Sequence, residues 1–329
     1  MAPAPTLQPV ALTLTVELER WRAHLARAGA GRPGLVPVVK GNGYGFGRAR
    51  LLAECRRLGL DEVAVGTAWE LDGLVAGQRA VVLTPCAGPA DAARLTDAAV
   101  PTVGSGRDVA VLHQAGWAGP VVVELRTSMR RYGAEPGELA SVLAVVTAAG
   151  GLTVRAFGIH FPLDRTSAQN AAELGAWLPR LPASATVQVS HVDPPDLALL
   201  SMLAAGRRLR PRVGTALWLG DRAALALTAD VVAVHPVRAG EPAGYRQHPV
   251  PCDGHLVLVD AGTAHGVQAL DDGRSPFHFA RRRLTLVEPP HMHTSMLHVP
   301  DGEPLPAAGD RVDVQRPLTR TQVDRIDER

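Results

Sequence analysis

The sequence predicts an α/β protein in which a (β/α)8 TIM barrel, residues 1–228 including an N-terminal segment, precedes a smaller all-β domain, residues 229–329. Two observations support this fold class. Eight short apolar runs alternate with helical patterns in the first part of the chain, as a barrel of buried parallel strands requires. From about Asp230 onward the β-type runs are short, Pro and Gly are frequent, and no long helical pattern occurs.

The barrel elements follow in order after the amphipathic segment TVELERWRAHLARA. The predicted strands are GLVPVVKGN, EVAVGT, AVVLTP, VPTVGS, GPVVVELRTS, TVRAFGIHFP, TVQVSHVD and LRPRVGTALWLG. The predicted helices include ARLLAECRRLG, PADAARLTDAA, GELASVLAVVTAAG, QNAAELGAWLPRL and PDLALLSMLAAG. A doubly wound open sheet is the alternative, but GNGYGFG lacks the GxGxxG spacing of the phosphate loop in that fold. In the second domain, PAAGDRVDVQRP predicts a further strand behind a turn.

The composition argues against several classes of partner. The 329 residues carry a formal net charge of +2 with no long block of like charge, so we expect no nucleic-acid or membrane partner. No stretch reaches 18 apolar residues, and the N-terminus lacks the basic start and apolar region of a leader peptide, so we expect a cytoplasmic protein. Cys55, Cys86 and Cys252 are too widely spaced to predict a disulfide framework or a thiolate zinc site.

Side chains at the carboxyl ends of barrel strands point toward the mouth, where barrel enzymes have their active sites. The candidate residues at these ends are Lys40, Glu124, Arg126, Arg131, His160, Ser190, His191, Arg212 and Thr215. Because several of these residues are basic, the mouth is predicted to bind an anionic ligand.

Lys40 ends the first strand and could form a Schiff base with a carbonyl compound if desolvation lowered the pKa of its amine. A lysine that extends to solvent or pairs with a carboxylate is the alternative. The alternating glycines that follow allow a ligand to approach the backbone, and Tyr44 adds a hydroxyl. After the last strand, Gly214 and Thr215 are predicted to bind phosphate through backbone N–H groups. Arg212 is predicted to pair with a carboxylate or to stack, and a structural ion pair is the alternative.

These segments resemble a known family. VVKGNGYGFG is similar to the cofactor-lysine signature of the alanine racemases, fold-type III enzymes that depend on pyridoxal 5′-phosphate. ELRTSMRRYG, GIHFP and RVGTALWLG resemble the arginine, histidine and phosphate-binding segments of that family, and GTAHG lies where the family has its tyrosine motif. The resemblance runs through both domains. It implies a bound pyridoxal phosphate, an amino-acid substrate and a homodimer in which the β domain of one chain completes the barrel mouth of the other.

The resemblance implies a role for each matching residue. Lys40 would carry the cofactor as an internal aldimine and act as the base on one face of the substrate α-carbon. Arg131 would approach the phenolic oxygen of the cofactor. Arg212 would face the pyridine nitrogen, and because a guanidinium keeps its proton, that nitrogen would stay unprotonated. The other cofactor-binding residues that the resemblance implies are Tyr44, His160, Ser190, His191, Gly214 and Thr215.

The sequence departs from the family pattern at the second acid/base. Thr263 stands where the family has a tyrosine, and a threonine hydroxyl does not titrate near neutral pH. His265, two residues later, titrates in the right range, so Thr263 and His265 are the candidate catalytic residues opposite Lys40. Glu124 is a further departure, because the family usually has a lysine there, and its carboxylate is expected to position Arg131.

Three functions remain open at this point. The first is a racemase or epimerase that acts at the α-carbon of a small amino acid through Lys40. The second is a pyridoxal-phosphate enzyme of the same fold that does not racemise: a decarboxylase, or a metal-assisted aldolase or dehydratase of D-amino acids. In that case His291 and His293 would bind the metal, but no carboxylate or cysteine lies at a clear spacing, so no metal site is predicted. The third is a homologue that binds the cofactor without catalysis.

Overall fold

The computed structural model describes residues 11–74 and 76–329, which divide into two compact units. The barrel unit comprises Ala23–Gly43 and Gly47–Gly220, and the β unit comprises the described residues up to Arg22, Tyr44–Phe46 and Asp221–Arg329. The described chain begins with strand β1 (Leu12–Val16) and helix α1 (Leu18–Ala30).

Eight parallel strands form the sheet of the barrel unit. They are β2 (Val36–Pro37), β3 (Glu62–Val65), β4 (Arg79–Val82), β5 (Ala99–Val103), β6 (Gly119–Leu125), β7 (Leu152–His160), β8 (Thr186–Ser190) and β9 (Arg208–Val213). The strand order is β2-β9-β8-β7-β6-β5-β4-β3, and a parallel bridge between Val38 and Ala64 joins its two ends. Each predicted run overlaps one of these strands, so the predicted barrel is confirmed and the open sheet is excluded.

Helices connect these strands. They are α2 (Arg48–Arg57), α3 (Pro89–Ala92), α4 (Gly106–Gln114), α5 (Leu139–Ala148), α6 (Ser167–Trp177), α7 (Pro194–Leu203) and α8 (Thr215–Trp218). The helix predicted over PADAARLTDAA ends at Ala92, and turns lead from there to β5 at Ala99. Helix α4 was not among the predicted helices, although Ser105 caps it by accepting a hydrogen bond from the Asp108 N–H. Within the part of the chain that the structure describes, no helix is long and apolar enough to cross a membrane.

Alternation along the strands fills the inside of the barrel with one set of side chains and its outside with another. A buried apolar cluster includes Val36, Val38, Ala64, Val81, Val100, Val122 and Ala156. The residues next to Val122, namely Val121 and Val123, belong instead to the cluster that packs with the helices. Two residues beyond Val38 and Val122 in the strand direction come Lys40 and Glu124. The same alternation that builds the core therefore carries these side chains to the barrel mouth.

The β unit is built on the long strand β10 (Leu225–Val237). The remaining strands are β11 (Pro242–Ala243), β12 (His248–Pro249), β13 (Gly254–Val259), β14 (Phe277–Phe279), β15 (Arg282–Arg283), β16 (Thr285–Leu286), β17 (Ser295–Pro300), β18 (Arg311–Val314) and β19 (Arg325–Glu328). The main sheet has the order β15-β14-β18-β10-β13-β17-β16, and β11 pairs only with β12. This confirms the predicted all-β second domain, including the strand expected in PAAGDRVDVQRP.

Strand β1 lies in this second sheet. It pairs antiparallel with β10 and parallel with β19. The sequence interpretation placed its last residues, Thr15 and Val16, in the amphipathic N-terminal segment and assigned that segment to the barrel domain. The predicted division between residues 228 and 229 lies within β10, whose first half pairs with β1 and whose second half pairs with β13.

Candidate active site

Lys40 lies just past the carboxyl end of β2, on the inner face of the barrel. Its side chain is exposed, yet surrounding atoms desolvate the amine enough to lower its pKa. The positive charges of Arg131 and Arg212 lower that pKa further, and only the carboxylate of Glu70 acts in the opposite direction. A larger fraction of Lys40 is therefore a neutral amine, the form that attacks a carbonyl or accepts a proton.

The Lys40 turn is held by Glu70, which was not among the candidate residues. One carboxylate oxygen accepts the Gly41 N–H at 3.0 Å, and the other accepts the Gly66 N–H at 2.7 Å. The turn also needs a glycine at position 43, where φ is 62° and a Cβ would lie 2.5 Å from the Arg48 nitrogen. These contacts fix the backbone that follows Lys40 and tie it to the end of β3.

Arg212 and Glu124 form the buried part of the site, and each is only 3% exposed. Arg212 donates from Nε to Ser190 Oγ at 3.1 Å, which fixes the plane of its guanidinium. Its Nη2 lies 3.7 Å from Glu124 Oε1. Burial raises the pKa of Glu124, and the two nearby guanidinium groups, of Arg212 and Arg131, oppose that rise. Arg212 therefore connects Ser190 and Glu124 in one buried cluster of side chains.

Arg131 approaches the same carboxylate from the loop after β6, with Nη2 3.9 Å from Glu124 Oε1. Its guanidinium lies over the ring of Tyr132, 4.2 Å from the ring centre. Tyr132 in turn donates its hydroxyl to the Leu83 carbonyl at 2.9 Å. Sequence reasoning missed Tyr132, although its place directly after Arg131 in ELRTSMRRYG was a usable signal.

Two histidines complete the cluster. The rings of His160 and His191 meet edge to face with centroids 4.7 Å apart. Burial, together with the charge of Arg212 and other nearby groups, lowers the pKa of His160 to about 2. Burial and Arg212 also lower the pKa of His191. Both rings are therefore neutral near pH 7, which leaves Arg131 and Arg212 as the positive groups of the site that keep their proton at every working pH.

The remaining predicted cofactor residues lie in two different units. Gly214 follows β9 and precedes α8, and Thr215 begins that helix with an exposed side chain. The first N–H groups of a helix have no intrahelical acceptor and can bind an anion. Tyr44 is buried in the β unit with a left-handed φ of 57°. Its neighbour Phe46 stacks on Trp21 with ring centroids 4.7 Å apart.

Thr263 and His265 lie in a short turn of the β unit. The Thr263 side chain is exposed, whereas His265 is buried. The His265 Nδ1 accepts the Gly262 N–H at 3.1 Å, and its Nε2 lies 3.2 Å from Asp324 Oδ2. Because both ring nitrogens are engaged, His265 can act as a base only after one of these contacts breaks. The catalytic assignment of both residues stays a prediction.

His291 and His293 precede β17 rather than lying on a strand, so their rings do not share a strand face. His291 Nε2 lies 2.5 Å from Glu288 Oε1, and its ring contacts Tyr245. His293 instead faces His265, with ring centroids 6.1 Å apart. Among the residues that the structure describes, no group of three or more His, Cys, Asp or Glu side chains is arranged to hold a metal ion.

Comparison with known proteins places this arrangement in context. Residues 16–193 match the family described as alanine racemase, N-terminal domain. The structure of alanine racemase from Bartonella henselae with covalently bound pyridoxal phosphate is 19% identical, with a TM-score of 0.73 over 98% of this chain and 99% of that one. Alanine racemase from E. faecalis is 18% identical, with a TM-score of 0.74 over 99% and 100% of the two chains. Alanine racemase from D-cycloserine-producing Streptomyces lavendulae is 21% identical, with a TM-score of 0.72 over 98% of each. No curated protein matches the chain.

Proposed function

Because the chain belongs to the family described as alanine racemase, N-terminal domain, we propose that it is a pyridoxal-phosphate-dependent enzyme acting at the α-carbon of a small amino acid. The proposed reaction is racemisation or epimerisation. One observation carries the proposal: the amine of Lys40 has a lowered pKa and lies at the strand ends of the barrel beside two guanidinium groups.

The residues present fit this cofactor. Its aldehyde reacts with a neutral amine, and the lowered pKa of Lys40 favours that form. Its negative charge requires cations, which Arg131 and Arg212 provide. Buried polar atoms at Arg212 Nη1 and Glu124 Oε2 have no hydrogen-bond partner among the described residues, so the site has unused polar capacity. The other residues that would hold the cofactor are Tyr44, His160, Ser190, His191, Gly214 and Thr215.

The bound cofactor would supply electron withdrawal from the substrate α-carbon and so make its proton more acidic. Lys40 Nζ would take up that proton on one face and return it. Arg212, which stays protonated, would direct an N–H toward the ring nitrogen without giving up its proton. The rings of His160 and His191 are neutral and add no positive charge to the site. The nearby charges that lower the pKa of Lys40 are therefore those of Arg131 and Arg212.

A second candidate function rests on Thr263 and His265. The hydroxyl of Thr263 has no useful pKa, and both ring nitrogens of His265 are engaged, so neither side chain is a ready proton donor. This favours a decarboxylase, an aldolase or a dehydratase, or a protein that only binds the cofactor, as the alternative. Exchange of the α-hydrogen with solvent deuterium, with both enantiomers tested, distinguishes these possibilities. Exchange with inversion supports racemisation, and exchange with retention supports a one-base reaction.

We also propose that the protein acts as a homodimer, as the family resemblance implies. In such a dimer the β unit of one chain would complete the barrel mouth of the other. Light scattering of the purified protein tests the oligomeric state, and a monomer at assay concentration would contradict this part of the proposal.

The experiment that tests the cofactor uses a feature of the composition: Lys40 is the only lysine among the 329 residues. We expect visible absorbance after incubation with pyridoxal phosphate, and a mass increase on the Lys40 peptide after borohydride reduction. A colourless protein without this adduct would overturn the proposed function.

A further inference from the structure

A cavity of the barrel unit lies between the loop after β6 and helix α6. Its volume is about 540 Å³, which is within the range of sites that bind small molecules. Lys40, Arg131 and Arg212 do not belong to its lining. The cavity is therefore formed by a different set of residues from those proposed to hold the cofactor.

Two carboxylates line this cavity, and each already has its own cation. Glu135 pairs with Arg126 at 2.8 Å. Glu173 pairs with Arg165, and it also accepts the Ser128 N–H at 2.7 Å and the Ser128 hydroxyl at 2.8 Å. The negative charge at the cavity is therefore compensated by groups other than its remaining two arginines.

Those two arginines are Arg130, in the loop after β6, and Arg180, which ends the short 3₁₀ helix Leu178–Arg180 after α6. Within the part of the chain that the structure describes, neither guanidinium makes a side-chain hydrogen bond or an ion pair. Two like charges that line one cavity repel each other, and an anion between them removes that repulsion. The cavity thus has two uncompensated positive charges, which favours a ligand with two negative ones.

The backbone that carries Arg130 is held in a conformation that a side chain rarely adopts. Arg130 has a left-handed φ of 54°, which is unfavourable for a residue other than glycine. Its N–H donates to the Thr127 carbonyl at 2.8 Å, and the Thr127 hydroxyl donates to the His160 carbonyl at 2.7 Å. Because this turn is already ordered by contact with β7, binding at Arg130 requires little further ordering of the chain.

The rest of the lining includes apolar surface from Pro136, Ala176 and Trp177. An inorganic anion would leave this surface unused, whereas the carbon atoms of an organic anion would cover it. Carboxylate and phosphate groups both match the planar fork of a guanidinium. The charge and the apolar surface together indicate the chemical class of the ligand.

We propose that this cavity binds a small organic dianion, a dicarboxylate or a phosphate monoester, whose charged groups pair with Arg130 and Arg180. The carbon part of the ligand lies against Pro136 and Trp177. This binding site goes beyond the proposed function, because it requires neither the cofactor nor a reaction at Lys40.

The first test is isothermal titration calorimetry of the full chain with succinate and, separately, with glycerol 3-phosphate at constant ionic strength. We expect wild type to bind at least one of these probes, and the probe that binds shows whether the site takes carboxylates or phosphates. Arg130→Gln and Arg180→Gln should each weaken that binding about tenfold, since each removes a charge-assisted hydrogen bond. The matched control is Arg56→Gln, the same change at an exposed arginine of α2 outside the cavity, and it should bind like wild type.

Failure of wild type to bind either probe would overturn the proposal, and so would unchanged binding in both cavity variants. Arg130 and Arg180 are exposed, so neither substitution should lower the melting temperature. If one variant is nevertheless destabilised, the other carries the test.

A further variant separates this cavity from the candidate active site, which is also positively charged. Arg131→Gln should leave binding of the probe unchanged, because Arg131 does not line the cavity. Loss of binding in Arg131→Gln together with wild-type binding in Arg130→Gln would place the anion at the barrel mouth and overturn the proposal.

Sulfate tests the apolar part of the ligand, because it carries two charges without carbon. It should bind about tenfold more weakly than the better organic probe, which covers the apolar wall with two or three carbon atoms. Equal affinity for sulfate would show that the cavity does not select an organic anion. A protein that binds the organic probe but takes up no pyridoxal phosphate would contradict the proposed function and leave this proposal standing.

Discussion

The barrel unit has a buried glutamate between two arginines at each end, and the two clusters differ in how well they are satisfied. Glu62, at the start of β3, accepts hydrogen bonds from Arg155 Nε at 2.8 Å and Gln188 Nε2 at 3.0 Å, and also from Arg210. Glu124, near the end of β6, has its arginines at 3.7 and 3.9 Å and one oxygen without a partner.

This difference indicates what each end does. A buried charge with all its hydrogen bonds made holds the surrounding strands in one arrangement and has no capacity for a ligand. A buried charge with bonds left unmade is less stable on its own, and such sites occur where a ligand completes the set. The saturated cluster lies at the amino ends of the strands and the unsaturated one near the carboxyl ends, in agreement with the position of active sites in barrel enzymes.

The largest expected effect comes from Lys40→Ala, which should abolish covalent attachment of the cofactor while leaving the fold intact. The lysine lies beside Arg131 and Arg212, so removing its charge relieves repulsion and should not lower the melting temperature. Borohydride reduction followed by mass analysis measures attachment, and Lys40→Arg is the control that keeps the charge. A reducible adduct in Lys40→Ala would show that the mouth is not where the cofactor attaches.

The fold was predictable to the level of the eight barrel strands because parallel strands buried on both faces leave a simple apolar signal. The sheet to which β1 belongs was not predictable in the same way. Leu12–Val16 is LTLTV, and no local pattern indicates whether it joins the barrel or pairs with β10, more than two hundred residues later. Long-range pairing of this kind is decided by tertiary packing and not by propensity.

The second prediction concerns the saturated end. Glu62→Gln places an amide where Arg155 and Arg210 both require an acceptor, and it should lower the free energy of unfolding by about 3 kcal/mol, as breaking a buried ion pair does. Urea denaturation followed by tryptophan fluorescence gives this value. Cofactor affinity measured on the same variant should not change. A variant as stable as wild type would remove the distinction between the two ends.

The stability of the barrel unit should also depend on pH through His160, near the carboxyl ends of the strands. His160 has a folded-state pKa of about 2 against about 6.5 when unfolded, so below pH 6.5 the unfolded chain binds a proton that the folded chain does not. The resulting stability is present above pH 6.5 and is lost as the pH falls. At pH 5 the loss is about 2 kcal/mol. His160→Asn should show a smaller loss between pH 7 and 5, and equal slopes for the two proteins would contradict this account.

Some of the site was predictable and some was not. The alternation that fills the barrel interior also carries Lys40, Ser190 and Arg212 to the strand ends, so sequence spacing was enough to propose them together. Glu70 was not predictable, because its contact with the Lys40 turn depends on the backbone N–H of Gly41, which lies 29 residues earlier and which only the folded chain brings within reach. Contacts of a side chain with distant backbone leave no periodic signal in the sequence.

The smallest expected effect comes from Glu135→Gln, which repeats the chemical change of Glu62→Gln on the surface of the same unit. Glu135 and Arg126 are 2.8 Å apart, but their side chains are 53% and 38% exposed, and exposed pairs contribute only about 0–1 kcal/mol. Arg126 also keeps its hydrogen bond to the Gly133 carbonyl at 3.1 Å, so the loop does not depend on the carboxylate. The change in unfolding free energy should therefore stay below about 0.5 kcal/mol and shrink further at 1 M salt. A loss as large as that of Glu62→Gln would mean that burial and hydrogen bonding do not distinguish the carboxylates of this barrel, and the contrast between Glu62 and Glu124 would lose its physical basis.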